Sequence, residues 1–421
     1  MDGAIGDGVA GRTSAVSTTG EKILGRLLTL GQFGHASGIY FRTPFTTAET
    51  AAVDRVSEWM REAGLGVRRD AIGNVIGRVE GRDPAAQVVA TGSHLDSVRD
   101  GGVFDGPLGV VAGIEAVAQL LADRGTPARP VEVIAFTGEE GSRFPMGLLG
   151  SRMMAGLLAP EEAVAILDRE GVPVGEALAQ AGLDPARLDR VARGDLACMV
   201  ELHIEQGPVL ERSGVAVGVV ETIVGIHGFQ AVVKGQADHA GTTPLGMRAD
   251  ALLGAAEIVL ALPELVRPSG GVVTVGQLDV APGSSNVVPG RVIFSVDLRH
   301  TTPAELGRLA ARIQRAADAI AERRGLRLEW HTRQVTTPVA TDPALRARIQ
   351  RAADALGFPW RSMPSGAGHD AMAIAARCPV AMIFTPCRGG FSHRPDEFVD
   401  AAMIDPGFAV LKRLLADLAW E

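Results

Sequence analysis

Cysteine is scarce in this 421-residue chain, which carries only Cys198, Cys378 and Cys387. They are not paired at CxxC spacing and are too few for a disulfide framework, which points to a reduced compartment. Cys198 lies in the apolar run LACMV and Cys378 in ARCPV, so both are expected in the core as small hydrophobes rather than as nucleophiles. A basic excess is also missing: 41 Lys and Arg stand against 49 Asp and Glu, for a net charge of −8. That balance argues against a nucleic-acid partner. No run of 18 uncharged apolar residues occurs, since Glu115 interrupts the apolar stretch after Gly106, so no membrane span is expected. The opening MDGAIGDGVAGRTS has neither a basic n-region nor an apolar h-region, and the expectation is a cytoplasmic protein without a secretory signal.

What is present is apolar material for a core: 46% of residues are hydrophobic and 21% charged. At roughly 150 residues per domain the length suggests two domains. Residues 1–20, rich in Gly, Ser and Thr, are predicted to form a mobile tail. Residues 87–91 (QVVAT) and 131–136 (VEVIAF) read as buried strands, with helical spacing over 109–123 between them. Such a βαβ unit places functional loops at the carboxyl ends of its strands. A third strand is expected over 197–202. The character changes near Gly214, where successive β segments begin, followed by a helix over 250–266, two further strand regions and a long helix opened by Thr302 and Pro303. From residue 337 the first pattern returns. The predicted fold class is α/β: a catalytic domain over 21–213 and 337–421, built on a helix-covered mixed sheet, with an inserted α+β domain over 214–336.

The nine histidines are unevenly placed, and His94, His203 and His393 lie at or beyond the ends of apolar runs. His94 belongs to TGSHLDSVRDGGVFDGPLG. There one imidazole nitrogen can take a metal while Asp96 orients the ring, and Asp105 can bridge; the alternative for Asp105 is a helix cap or turn residue. Glu139 and Glu140 directly follow the strand VEVIAF. Adjacent carboxylates at a strand end suit one metal ligand and one general base, the alternative being a solvated loop. Three His with Asp105 and Glu140 form a donor set without sulfur that suits Zn²⁺ and permits Mn²⁺ or Co²⁺. One bridging carboxylate serves two ions, and paired ions roughly 3.5–4 Å apart activate water and polarise a carbonyl, which is hydrolase chemistry.

The strings GSHLDSV, GGVFDGPLGV, TGEEGSRF, ELHIEQGPVLE, DHAGTTPLGMRAD, NVVPG, VDLRH, GAGHDA and GGFSH run over nearly the whole chain. Together they resemble the M20-type metallopeptidase-like amidohydrolases, and within them the N-carbamoyl-L-amino acid hydrolase and allantoate amidohydrolase branch. The resemblance implies that His94, Asp105 and His203 hold one ion and Asp105, Glu140 and His393 the other. It implies Glu139 as the base, Asp96 as the partner of the His94 ring, and the inserted domain as a lid that also forms a homodimer. His239 would then reach the partner's site to stabilise an oxyanion. Asn286 and Arg299 would bind the substrate carboxylate, with Gln206 and the loop of Gly366, Ala367, Gly368 and His369 nearby. For Arg299 the alternative is an ion pair, for His239 a capped turn, and for His369 a helix-start residue.

The resemblance implies cleavage of the ureido C–N bond of an N-carbamoyl-L-amino acid, releasing ammonia and carbon dioxide. Allantoate-specific relatives carry a basic pair where this chain has Ile226, His227 and Gly228, which weighs against allantoate; His227 could still donate one hydrogen bond to a carboxylate. Behind the first reading stand allantoate, β-ureidopropionate and N-acyl amino acids. An M20-type peptidase is disfavoured by His203, where peptidase relatives commonly use an acidic ligand. A binding protein without turnover is disfavoured by the intact set of candidate ligands and base.

Overall fold

The computed structural model describes residues 18–36 and 38–421, so the tail expected over residues 1–20 lies almost wholly outside the described residues. Helix α1 (Thr19–Leu30) is opened by Thr18, whose side chain accepts from the Glu21 N–H, and α2 (Thr47–Glu62) by Thr46. The main sheet then begins with β1 (Gly66–Arg69), β2 (Val75–Val79) and β3 (Val88–His94). Helix α3 (Pro107–Arg124), β4 (Val131–Phe136), α4 (Leu149–Ala155), β5 (Leu196–Ile204) and β6 (Val217–Ile223) follow. A second sheet is built from β7 (Gly225–Lys234), α5 (Ala251–Val266), β8 (Val272–Thr274), β9 (Leu278–Ala281), β10 (Arg291–His300), α6 (Pro303–Arg323) and β11 (Arg327–Val335). The chain returns through β12 (Val339–Ala340), α7 (Pro343–Leu356), β13 (Trp360–Ser365), α8 (Asp370–Ile374), β14 (Val380–Thr385) and α9 (Ala401–Ala419).

The main sheet has nine strands in the order β12-β6-β14-β5-β3-β4-β2-β1, with β13 paired to β6. Its four central strands, β14, β5, β3 and β4, run parallel, while the strands flanking them pair antiparallel. The central strands are buried on both faces, as parallel strands between helix layers must be. One apolar cluster joins the sheet to α1, α2, α3, α7 and α9, and a second packs on the other face against α4 and α8. All three cysteines are buried. No helix of the described residues is long and apolar enough to cross a membrane.

The second sheet is antiparallel in the order β8-β10-β7-β11, with β9 also on β10. Strand β10 alternates strictly: Val292, Phe294, Val296 and Leu298 point to α5 and α6, while Ser295, Asp297 and Arg299 line clefts on the opposite face. The helix starts were readable, since Asp250 caps α5 through the Leu252 and Leu253 N–H groups and Asp342 caps α7 through Leu345 N–H. The change of sheet falls between Ile223 and Gly225 rather than at Gly214. Strand β6 pairs with β13, β14 and β12 of the main sheet, because its apolar run fits between layers there.

Candidate metal centre

Four loops meet at the carboxyl ends of the four parallel strands. Strand β3 ends on His94, β4 is followed by Glu139 and Glu140, β5 carries His203, and the segment after β14 carries His393. Asp105 comes from the turn before α3. The cap position of that helix is Gly106, so Asp105 is not the helix cap. Gly106 has φ 83°, and a Cβ there would lie 2.4 Å from the His94 ring, so only glycine lets the turn close over the imidazole.

The two oxygens of Asp105 divide the imidazoles between them. Oδ1 lies 3.5 Å from His94 Nε2 and 3.2 Å from His203 Nε2, while Oδ2 lies 3.4 Å from His393 Nε2. His393 Nε2 is in turn 3.5 Å from Glu140 Oε2, and Glu139 Oε2 is 3.9 Å from His94 Nε2. His94 Nδ1 contacts the Asp96 carbonyl at 3.0 Å and His203 Nδ1 the Ile204 carbonyl at 2.9 Å, so each Nδ1–H can donate outward and leave Nε2 facing Asp105. His203 Nε2 is buried and has no aligned hydrogen-bond partner despite its 3.2 Å approach to Asp105. Two donors each about 2.1 Å from one tetrahedral ion stand about 3.4 Å apart, so these separations fit shared ligation better than hydrogen bonding. The sets His94, Asp105, His203 and Asp105, Glu140, His393 are both compact enough to hold a cation.

The electrostatics favour positive charge at this point. Burial acts against a charged His94, yet Asp105, Glu139 and Asp96 offset it and raise its pKa well above the ordinary value. His393 is raised to about 9, chiefly by Asp105. Burial would raise Asp105, but His203, His393 and His94 hold it well below the usual carboxylate range. Burial pushes Glu139 up strongly, with Glu140 adding to it, and takes Glu140 to about 7. A divalent cation satisfies the same field that raises the imidazoles.

Asp96 acts differently from the expectation. It is the Asp96 main-chain carbonyl that meets the His94 ring, with the nearer carboxylate oxygen 3.7 Å away. The carboxylate instead accepts from the Glu139 N–H at 3.0 Å and the Glu140 N–H at 3.1 Å, fixing the loop that carries both glutamates.

A cleft of about 360 Å³ opens over the cluster, lined by His94, Asp105, Glu139, Glu140, His203, Gln206, Arg299, Ala367, His369 and His393 among others. Gln206, at φ 58°, donates to Asp105 Oδ2 at 2.6 Å. Arg299 spends Nε and Nη2 on a bidentate pair with Asp297 at 2.8 and 2.9 Å, and Nη1 donates to the Gly366 carbonyl at 2.7 Å. Its paired fork is therefore occupied from within, the ion-pair alternative. Gly366 lies in the adjoining cleft along the second sheet.

His227 does not face the metal cleft. It points to the helix-covered side of β7, where its ring stacks on Phe229 at 4.1 Å. His239 and Asn286 are exposed and outside the cleft of their own chain. His239 Nδ1 accepts from the Gly241 and Thr242 N–H groups at 3.1 and 3.2 Å, which leaves the proton on Nε2 facing outward. His369 is buried at the start of α8, with Nε2 2.7 Å from Ser365 Oγ and its ring edge-on to His203 at 4.5 Å.

Sequence reasoning missed Glu201 and Glu397. Glu201 lies two residues before His203 on the same strand face and holds Ser93 Oγ at 2.7 Å and the Ala371 N–H at 2.9 Å. Glu397 reaches back from the His393 loop: Oε1 accepts from the Phe104 and Asp105 N–H groups at 3.0 and 3.1 Å, and Oε2 meets Ser392 Oγ at 2.8 Å. Ser392 Oγ also contacts Asp105 Oδ2 at 2.6 Å. The signal available was the string SHRPDEF, with an acid four residues beyond His393.

Residues 90–417 match the sequence model of peptidase family M20/M25/M40. An N-carbamoyl-L-amino acid amidohydrolase of Geobacillus stearothermophilus is 45% identical over 404 residues, spanning 95% of this chain and 98% of that protein. An allantoate amidohydrolase of Bacillus subtilis is 36% identical over 394 residues, spanning 93% of this chain and 96% of that protein. Among solved structures, an amidase of the hydantoinase/carbamoylase family from Burkholderia multivorans superposes with a TM-score of 0.89 at 36% identity, covering 96% of this chain and 98% of that one. On the length of these matches and the clustered imidazoles and carboxylates, the chain belongs to peptidase family M20/M25/M40, whose hydrolases are metal-dependent.

Proposed function

We propose that this protein hydrolyses the ureido C–N bond of an N-carbamoyl-L-amino acid, releasing ammonia, carbon dioxide and the amino acid. The observation that carries the reading is the division of three imidazoles between the two oxygens of Asp105, with Glu139 beside them and outside both ligand sets. The 45% identity to an N-carbamoyl-L-amino acid amidohydrolase supplies the substrate class. His227, stacked on Phe229 on the far side of β7, gives no support to an allantoate site there.

His94, Asp105 and His203 would hold one divalent ion and Asp105, Glu140 and His393 a second, with Zn²⁺ the best match to the donors and Mn²⁺ or Co²⁺ acceptable. Such ions supply Lewis acidity and lower the pKa of water. Glu139 Oε2 takes the proton of the attacking water, and burial suits it to hold that proton until the leaving nitrogen receives it. Asp96 keeps the glutamate loop in register during this transfer. The carbamoyl carbon leaves as carbon dioxide and its terminal nitrogen as ammonia. Arg299, through the N–H left on each of Nη1 and Nη2, would bind the substrate carboxylate, with Gln206 and Ala367 lining its approach, and Asn286, outside the cleft of its own chain, would join them only from the second copy.

The second sheet with its two helices is read as a lid that also joins two copies, its ordered His239 Nε2–H serving the oxyanion in the partner's cleft. Three buried thiols are in keeping with a reducing cytoplasmic setting. The test is ammonia release from N-carbamoyl-L-amino acids, allantoate and N-acyl amino acids, before and after chelation and on return of Zn²⁺ or Mn²⁺. Metal-dependent release from the N-carbamoyl compounds is expected. Turnover of acyl amino acids or dipeptides alone would overturn the assignment.

A further inference from the structure

Two arginines line the metal cleft, and they are in opposite condition. Arg299, on β10 of the second sheet, already carries the Asp297 counter-charge and the Gly366 carbonyl, with one N–H left on each of Nη1 and Nη2. Arg152, on α4 of the main unit, is half-buried, and its guanidinium has no hydrogen bond or ion pair with any described residue. An arginine that lines a cleft without a protein counter-charge can take one from a ligand, and its planar fork is suited to a carboxylate.

Its placement is tied to the reacting centre by the backbone. Leu148 has φ 61°, a left-handed conformation that a leucine side chain disfavours. That turn lets the Leu148 N–H donate to the Glu139 carbonyl at 2.8 Å and starts α4 beside the proposed base. Arg152 N–H then donates to the Leu148 carbonyl at 2.8 Å, so Arg152 stands one helical turn beyond the residue that bonds Glu139, and both line the cleft. Met146, Leu148 and Met372 line the same cleft and supply its apolar wall. Strained backbone at a cleft wall is where a functional constraint is expected to show.

We propose that Arg152 determines specificity by binding an anionic group on the substrate's side chain, so that N-carbamoyl derivatives of acidic amino acids are the preferred class. This rests on the ureido-hydrolase reading above. Two guanidiniums on opposite units of one cleft correspond to two carboxylates on one substrate: the α-carboxylate toward Arg299, which keeps one free N–H on each of Nη1 and Nη2, and the side-chain carboxylate toward Arg152.

The experiment compares kcat/KM for N-carbamoyl-L-glutamate, its neutral isostere N-carbamoyl-L-glutamine, and N-carbamoyl-L-alanine, in the wild type, Arg152→Met and Arg152→Lys. The wild type is expected to favour the glutamate over the glutamine compound at least tenfold. Arg152→Met should abolish that preference through KM while leaving the alanine compound within about threefold, and Arg152→Lys should keep part of it. Should Arg152→Met not fold, the glutamate-to-glutamine ratio in Arg152→Lys makes the same comparison, with loss of the two-point fork expected to lower it. A wild type indifferent to the side-chain charge, a preference that survives both variants, or an equal loss on all three substrates would overturn the role while leaving the ureido-hydrolase reading in place. Absence of turnover on every ureido acid would overturn both.

Discussion

Replacing Glu397 probes how the bridging aspartate is held. Its Oε1 is the acceptor for two buried main-chain donors, Phe104 N–H and Asp105 N–H, and its Oε2 meets Ser392, which also touches Asp105. Glu397→Ala leaves both N–H groups without an acceptor. At about 1–3 kcal/mol for each orphaned buried donor, the variant should lose about 4 kcal/mol of stability. Freed from this clamp, Asp105 should bind metal about 10–100-fold more weakly, the usual effect of removing a group that orients a ligand. Glu397→Gln keeps an oxygen for the two N–H groups and turns its amide toward Ser392, and should stay within about 1 kcal/mol of the wild type. Urea unfolding of the chelated protein gives the stability, and competition with a chromophoric chelator gives the affinity. The reasoning fails if the Ala and Gln variants behave alike in both measurements, or if Glu397→Ala binds metal as the wild type does.

Glu139→Gln should retain the metal content of the wild type, because Glu139 stands outside both three-residue sets around Asp105, and should lose about 10²–10⁴-fold in kcat; metal analysis beside a turnover assay checks both halves, and retained activity would remove the base. Burial raises the Cys198 thiol to about 11 and the Cys378 and Cys387 thiols to about 12. The folded state therefore holds these protons more tightly than the unfolded chain, so at pH 9 native protein should resist alkylation while urea exposes all three thiols; rapid labelling without denaturant would contradict their burial. Rising pH above about 9 should for the same reason favour the unfolded state, visible as a falling Tm between pH 8 and 11.

Much of the architecture was legible because its strands are buried on both faces. The runs QVVAT and VEVIAF read as strands, and the structure has them as Val88–His94 and Val131–Phe136. Strand β6 was harder. Its run of valines fits either sheet, and only its distant partners β13 and β14 decide the matter, which no local pattern encodes. The cluster around Asp105 was legible because imidazoles and carboxylates at strand ends are uncommon in one chain. The roles of Asp96 and Glu397 were not, since both carboxylates bind main-chain N–H groups, which every residue but proline offers and no string of letters marks. Arg299 was read as a free fork because its partner Asp297 sits on the same strand face two residues earlier, and an i, i+2 pair on a strand carries no sign of whether it closes.

The junction between the sheets bears on the order in which the chain folds. Ile223, where the main sheet is left, pairs directly with Val339, where it is rejoined, and just beyond them Ile226 and Thr336 exchange main-chain hydrogen bonds. Closing that pair from an open chain means bringing together residues more than a hundred positions apart, an entropic barrier that slows nucleation. If the second sheet forms first, its own hairpins and helices deliver the two ends side by side, and the remaining closure is no longer than a tight turn. Every candidate metal ligand lies outside this loop, so the insert bears on the centre as one wall of its cleft and, where it folds first, as the scaffold that lets the edge of the main sheet zip.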